Sequence, residues 1–211
     1  MTHLLYIDPL LFRPGDRLTL ADFLERWERM PELKFAELID GVVYMPSPVS
    51  REHGRLASRM NLLLGVYAAR TGRCETTIDA TWLMEGSAPQ PDVALQLLPQ
   101  FGGKAGLAGN LAAGVPELVV EVSHSSRSYD LGPKLALYQR AGVNEYIAVL
   151  LEERRIEWRR LEGGSFRMID AEGGILKSTV FPGLWLNEAA FWADDANRML
   201  ETLEVGLHAE R

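Results

Sequence analysis

The segment "PELVVEVSHSS", residues 116–126, constrains this chain more than any other. Pro116 opens a run of Leu118, Val119, Val120 and Val122, almost continuously apolar and β-branched, which is the pattern of a strand buried on both faces. Side chains alternate across a strand, so Leu118, Val120 and Val122 share one face while Val119, Glu121 and Ser123 share the other. Glu121 is thereby directed into an apolar layer near the carboxyl end of its strand, where α/β sheets tend to build sites. An ionised carboxylate in that place needs a cation or hydrogen bonds, or must be neutral.

The flanking sequence supplies the elements around this strand. Leu20, Phe23, Leu24 and Trp27 recur at helical spacing after Thr19, a cap, and before Pro31, a stop. "FAELIDGVVYM" reads as a hairpin turning on Asp40-Gly41. Beyond Pro46 and Pro48, Ser50 caps a long helix through Ala69 whose Leu56, Met60, Leu63, Leu64 and Tyr67 form one stripe, with Gly72 past its end. One half-buried strand is expected over Arg73 to Met84, followed by strands in "PDVALQL" and "ELVVEV". Between these two, "PQFGGKAGLAGNLAAGVP" reads as a long Gly- and Ala-rich loop, either a mobile flap or specificity element or a disordered surface insertion.

Asp130 is expected to cap a helix "LGPKLALYQRA" closed by Gly142, ahead of a strand "EYIAVLL". An antiparallel meander follows through "RIEWRRL", "SFRMID", a Gly173-Gly174 turn and "ILKSTV", then a helix from about Asn187. With no repeat and no linker, the order predicts one domain over residues 1–211, a mixed α/β protein.

Composition narrows the functions. At 211 residues, 47% apolar and 24% charged, the chain is long enough for one well-formed core. No apolar run reaches the ~18 residues of a membrane span, and the N-terminus shows no basic, apolar and cleavage-site sequence of a signal peptide. A cytoplasmic, reducing setting is expected, consistent with a single cysteine, Cys74. That lone thiol cannot build a thiolate metal site, so any metal must be held by carboxylates, histidines or carbonyls. A net charge of −7 argues against nucleic-acid binding through bulk positive charge, although bound metal reverses a local acidic field.

Asp92, at the start of "PDVALQL", is the natural partner of Glu121: if the two strands run antiparallel, the start of one lies beside the end of the other. Two adjacent acids repel, and Mg²⁺ or Mn²⁺ is the economical remedy. The alternative is that Asp92 caps a turn after Pro91 and Glu121 meets an arginine. Lys134 tips the balance. At ~100° per residue, Leu131, Leu135, Leu137, Tyr138 and Ala141 fall within about 100° on either side of it, so this lysine lies mid-way across the buried face of its helix. Buried lysines are rare unless paired. Two acids and a buried lysine form an arrangement suited to phosphodiester hydrolysis.

The order "FAELIDGVVYMPSPVSREHGRL", "PDVAL" and "LVVEVSHSSRSYDLGPKLALYQRAGVNEYIAV" resembles the Uma-two family of restriction endonucleases, within the PD-(D/E)XK nuclease superfamily. The resemblance runs from about Phe35 to the "FPGLWL" segment near Phe181. It implies a restriction-endonuclease-like core over about 19–192, a mixed central sheet flanked by helices with an antiparallel C-terminal extension. It also implies a metal-dependent site cleaving DNA, with Asp92 and Glu121 as metal ligands and Mg²⁺ or Mn²⁺ as cofactor. Where the superfamily carries lysine two residues past the glutamate, this chain has Ser123, and Lys134 on the helix takes its place. Glu37 matches an additional N-terminal acid of the family that completes the metal site, against a plain reading as a strand glutamate facing water.

Less weight falls elsewhere. His53 sits in the first turn of the long helix, facing either the cleft or solvent, and His124 is loosely placed; His3 and His208 lie near the termini. Ser123 reads as a phosphate or water ligand or as a local hydrogen-bonding residue. Tyr129, Arg127 and "REHGR" are weak candidates for a nucleic-acid backbone, and "EERRIEWRR" fits an exposed strand face equally well. A homodimer is expected, because cutting both strands of a duplex often uses paired sites. Two rivals stay open: a nuclease-fold binding protein without catalysis, and a hydrolase of another phosphate-containing substrate.

Overall fold

A computed structural model of the chain describes residues 11–45, 48–123 and 126–209. The expected break at Pro46, the N-terminal segment with His3, and His124 lie outside them.

Helix α1 (Leu20–Glu28) starts where Thr19 Oγ1 accepts the Asp22 N–H at 3.2 Å, and it buries Phe23 against Phe12, ring centroids 4.7 Å apart. The hairpin β1 (Glu37–Ile39) and β2 (Val42–Tyr44) turns on Asp40 and Gly41, whose φ values of 51° and 75° are what a two-residue hairpin loop requires. Helix α2 (Arg51–Thr71) is capped by Ser50, which accepts the His53 N–H at 3.1 Å, and closes on left-handed Gly72. These elements match expectation.

The strand expected over Arg73 to Met84 is two strands, β3 (Cys74–Ile78) and β4 (Trp82–Leu83), in different sheets. The chain bends at Asp79, whose φ of 50° no extended strand tolerates. Strand β5 (Val93–Leu97) pairs antiparallel with β3. The expected Gly- and Ala-rich loop also departs from expectation. It holds a hairpin, β6 (Gly106–Ala108) and β7 (Leu111–Ala113), that completes a three-stranded sheet with β4. Small side chains give no alternation to read, but the backbone pairs with β4, including Gly114 N–H to Leu83 C=O at 3.1 Å.

Strand β8 (Leu118–Ser123) leads into a short turn of helix α3 (Arg127–Tyr129), a π turn over Asp130–Lys134, helix α4 (Leu135–Ala141) and strand β9 (Glu145–Leu150). Strands β10 (Arg155–Glu162) and β11 (Ser165–Met168) extend the sheet antiparallel. The expected meander stops there: β12 (Ile175–Lys177) leaves the sheet and pairs with β13 (Trp185–Asn187), ahead of α5 (Glu188–Ala193) and α6 (Ala196–Ala209).

The central sheet has the order β11-β10-β9-β8-β5-β3, with β8 and β9 parallel and every other pair antiparallel. A parallel pair needs a crossover, and α3 to α4 provides it. One face packs on α2, α5 and α6 through Leu63, Leu64, Val120, Val122, Trp158, Phe191 and Leu203, all buried. The other carries Val119, Tyr146 and Ala148, which pack against Leu137 and Tyr138 of α4. This is the mixed sheet flanked by helices that the sequence predicts. No described helix is long and apolar enough to cross a membrane.

Helix α6 approaches the β13 ribbon closely enough that a Cβ on Gly206 would stand 2.4 Å from Gly183 O and 2.7 Å from Trp185 Cγ. Backbone cannot yield as a side-chain tip can. Gly206→Ala is expected to cost about 1–3 kcal/mol through overpacking, measurable as a lower urea midpoint with unchanged slope; an unshifted midpoint would show the helix free to move away.

Candidate active site

The register between β5 and β8 brings the acids together. Val93 faces Val120, which carries Asp92 to the level of Glu121, and Asp92 Oδ2 accepts the Val122 N–H at 2.6 Å. The antiparallel pairing inferred for these strands is thus present. Glu121 is 3% exposed and points, with Val119 and Ser123, toward α4.

Lys134 meets it there. Its Nζ lies 2.6 Å from Glu121 Oε1 and 2.9 Å from Glu37 Oε1, and it donates to the Gln90 carbonyl at 3.4 Å. Glu37 is buried at 6% exposure, so it does not face water; the β1–β2 hairpin folds back over the sheet, and Glu37 Oε1 also accepts the Gln90 N–H at 2.7 Å. The Tyr138 hydroxyl, one helical turn beyond Lys134, donates to Glu121 Oε1 at 2.8 Å.

The approach of Lys134 depends on a local irregularity. Pro133 has no N–H to donate to the carbonyl four residues back, and the helix widens: the Leu135 N–H reaches the Asp130 carbonyl, five residues back, as well as Gly132. Tyr129 and Lys134, which would be ~140° apart on a regular helix, then fall on one side, with Nζ 5.6 Å from the Tyr129 ring centre. Tyr129 in turn stacks on Tyr44 at 4.1 Å.

Asp130 does not cap this helix, contrary to expectation, because the helix has already begun at Arg127. Its carboxylate accepts the Ser123 hydroxyl at 2.8 Å and the Ser126 hydroxyl at 2.5 Å, and its carbonyl accepts the Tyr146 hydroxyl at 3.0 Å. Ser123 therefore faces Asp130. His53 is turned inward from the first turn of α2, with Nε2 3.3 Å from Asp92 Oδ1.

The electrostatics follow from crowding. Burial pushes the Glu121 carboxyl well above the usual carboxylate range; Lys134 pulls it down, while Asp130, Asp92 and Glu37 raise it further. Burial works against the Lys134 charge, but Glu121 and Glu37 outweigh it and hold the ammonium well above its ordinary value. The two directions conflict for an isolated ion pair, since a charged lysine should favour an ionised partner. They agree for this cluster: Lys134 stays charged, and one ammonium cannot balance all the neighbouring acids. Burial works against the protonated form of His53, yet Asp92 raises it overall; Asp79 is raised by burial and then by Asp92.

Two of the surface arginines lie in ion pairs. Arg127 pairs with Glu153 at 2.8 Å, and Arg55 pairs with Glu52 at 2.7 Å and Asp194 at 2.6 Å. His208 contacts the Glu204 carbonyl of its own helix. "EERRIEWRR" is not an exposed face throughout, since Ile156 and Trp158 are buried. Gln90 was not singled out from sequence, although it tethers the hairpin: its amide also bridges the Ala36 N–H, the Lys34 carbonyl and Thr81 Oγ1. Its place directly before Pro91-Asp92 was the available signal.

Among the described residues no three His, Cys, Asp or Glu side chains converge as a ready metal cage. Asp92 and Glu121 fit a different demand: Mg²⁺ is commonly held by one or two carboxylates and keeps water and substrate oxygens as its other ligands.

Comparison with known proteins agrees with this architecture. A solved structure described as "a putative nuclease belonging to DUF820", from Anabaena variabilis, superposes with a TM-score of 0.67 over 83% of this chain and 98% of that one. At 13% identity it speaks for the fold. No curated protein matches the chain. Residues 20–189 match Uma2, described as "Putative restriction endonuclease", and with well over half of its length matched the chain belongs to the Uma2 (Uma-two) family.

Proposed function

We propose that the protein is a metal-dependent endonuclease hydrolysing DNA phosphodiester bonds. The observation that carries this reading is the buried Lys134 ammonium held between Glu121 and Glu37 beside Asp92. The family description and the nuclease fold support the substrate class.

Asp92 and Glu121 would hold Mg²⁺ or Mn²⁺, which when bound supplies Lewis acidity to a phosphoryl oxygen and lowers the pKa of a water. The Val122 N–H and His53 fix the orientation of Asp92. Glu37 is the third acid of the set, and through Oε1 it acts as the second counter-ion of Lys134. An ammonium has three N–H donors. Two are committed to carboxylates, and the third makes only the 3.4 Å contact to Gln90. A phosphate oxygen would displace that weakest contact, so Lys134 would stabilise charge developing on the scissile phosphate or orient the nucleophile. A homodimer acting in a reducing cytoplasm, each chain folding as one domain, completes the proposal.

The rival binding module draws on the net charge of −7. Against it stands the retention of costly buried charges, which a decayed site would lose first. The test is nicking of supercoiled plasmid with Mg²⁺ or Mn²⁺ by wild type, Glu121→Ala and Lys134→Ala. Wild-type cleavage abolished by chelator, and reduced at least about 10²-fold in both variants, is expected from loss of a metal ligand or of transition-state charge stabilisation. Undiminished activity in folded Glu121→Ala refutes the assignment. A folded wild type that binds metal without cleaving would favour the binding module.

A further inference from the structure

Lys134 sits on the π turn that Pro133 opens, and the Asp130 side chain links that turn to β8. The Asp130 side chain is 3% exposed and spans two elements: it accepts from Ser123, two residues past Glu121 on β8, and from Ser126, at the head of α3. Its main chain is equally committed, since its carbonyl accepts the Tyr146 hydroxyl from β9 and the Leu135 N–H that closes the widened turn. One residue thereby ties the strand that carries Glu121 to the turn that aims Lys134. None of these bonds involves substrate.

We infer that Asp130 is a positioning residue, whose clamp on Ser123 and Ser126 fixes the π turn against β8 and with it the reach of the Lys134 ammonium to Glu121 and Glu37. Pro133 keeps the turn from closing into regular helix with or without the clamp, but without the clamp the turn is no longer fixed against β8. A shift of the turn against β8 would carry the Lys134 ammonium away from Glu121, which β8 bears. The inference rests on the nuclease reading for its catalytic consequence but not for its geometry.

The experiment uses the full chain labelled with ¹⁵N-lysine. There are four lysines, Lys34, Lys104, Lys134 and Lys177, and Lys134 alone is buried. Its ammonium, shielded from water and hydrogen-bonded, gives the slowly exchanging resonance. In Asp130→Ala that resonance is expected to shift or disappear. The single-turnover cleavage rate should fall by about 10²-fold, the scale of an ~1 Å misplacement, while half-saturation by Mn²⁺ is unchanged. Asp130→Asn, which keeps one acceptor oxygen for the hydroxyls, is expected to restore the resonance toward its wild-type position.

A resonance left in place in folded Asp130→Ala overturns the inference, because a residue that merely stabilises the fold would lower the melting temperature without moving Lys134. If Asp130→Ala does not fold, Ser126→Ala decides: it removes one arm of the clamp, and a shifted Lys134 resonance supports the role while an unshifted one overturns it. If the wild type does not cleave DNA, the nuclease reading falls and the resonance still answers the question of position.

Discussion

Lys134→Met is expected to lower folding stability by about 3–5 kcal/mol at neutral pH, the cost of removing one partner from a buried ion pair. Methionine matches the length and apolar stem of lysine, so the loss measures charge rather than volume. Glu121 and Glu37, at 3% and 6% exposure, would keep their carboxyls with no cation between them. Tyr138, donating to Glu121, and the Gln90 N–H, donating to Glu37, do not replace the ammonium between the two carboxyls.

The pH dependence has a definite sign. Burial and neighbouring acids already hold Glu121 above the usual range, and removing Lys134 withdraws the influence that opposes them. A carboxyl whose folded pKa lies above its unfolded value contributes stability that is present below the unfolded pKa and lost as pH rises through the folded one. The deficit of Lys134→Met relative to wild type should therefore be smaller at pH 5 than at pH 8. Urea unfolding at both values measures it, and adding Glu121→Gln should recover part of the loss at pH 8. Equal stability of wild type and Lys134→Met at pH 8 would show that the ammonium is not buried against these acids.

How much of this site is legible in the sequence depends on the range of the cause. The inward turn of Glu121 follows from strand alternation alone, and the burial of Lys134 from its helical neighbours; both are local. The meeting of Asp92 with Glu121 needs only that two apolar runs pair antiparallel. Placement of Glu37 is different. Its strand contacts the sheet through Gln90, 53 positions away, and no local pattern distinguishes that from a glutamate facing solvent.

The failures have equally specific causes. Asp130 has the composition of a cap and the position of one, but the helix began three residues earlier and Pro133 widened it, leaving the carboxylate to the serines. The small sheet of β4, β6 and β7 is made of backbone pairing between segments with too little side-chain contrast to announce it. The strand break at Asp79 depends on one left-handed residue, a conformation Asp adopts more readily than most but does not require.

Glu145 is the least legible of the buried acids, and its loss should be the costliest single change outside the proposed site. It opens β9 with no exposed surface, and its carboxylate accepts five hydrogen bonds. Trp158 Nε1 at 3.0 Å and Ser178 Oγ at 2.8 Å approach Oε2, while the Thr179 N–H at 2.6 Å, Thr179 Oγ1 at 2.8 Å and the Val180 N–H at 3.2 Å approach Oε1. Four of those donors come from residues 178–180, the segment where the chain leaves β12 and enters the core at Phe181. Glu145→Ala strands buried donors at about 1–3 kcal/mol each where water cannot reach them, so a total loss of about 4–5 kcal/mol is expected, at the exceptional end for one substitution. Glu145→Gln separates the charge from the shape: its carbonyl can still serve the donors at Oε1, but its NH₂ would confront the Trp158 N–H, so an intermediate loss is expected. Denaturant midpoints for the three proteins check this order, and a Glu145→Ala variant within 1 kcal/mol of wild type would mean that water enters and takes over the carboxylate's role.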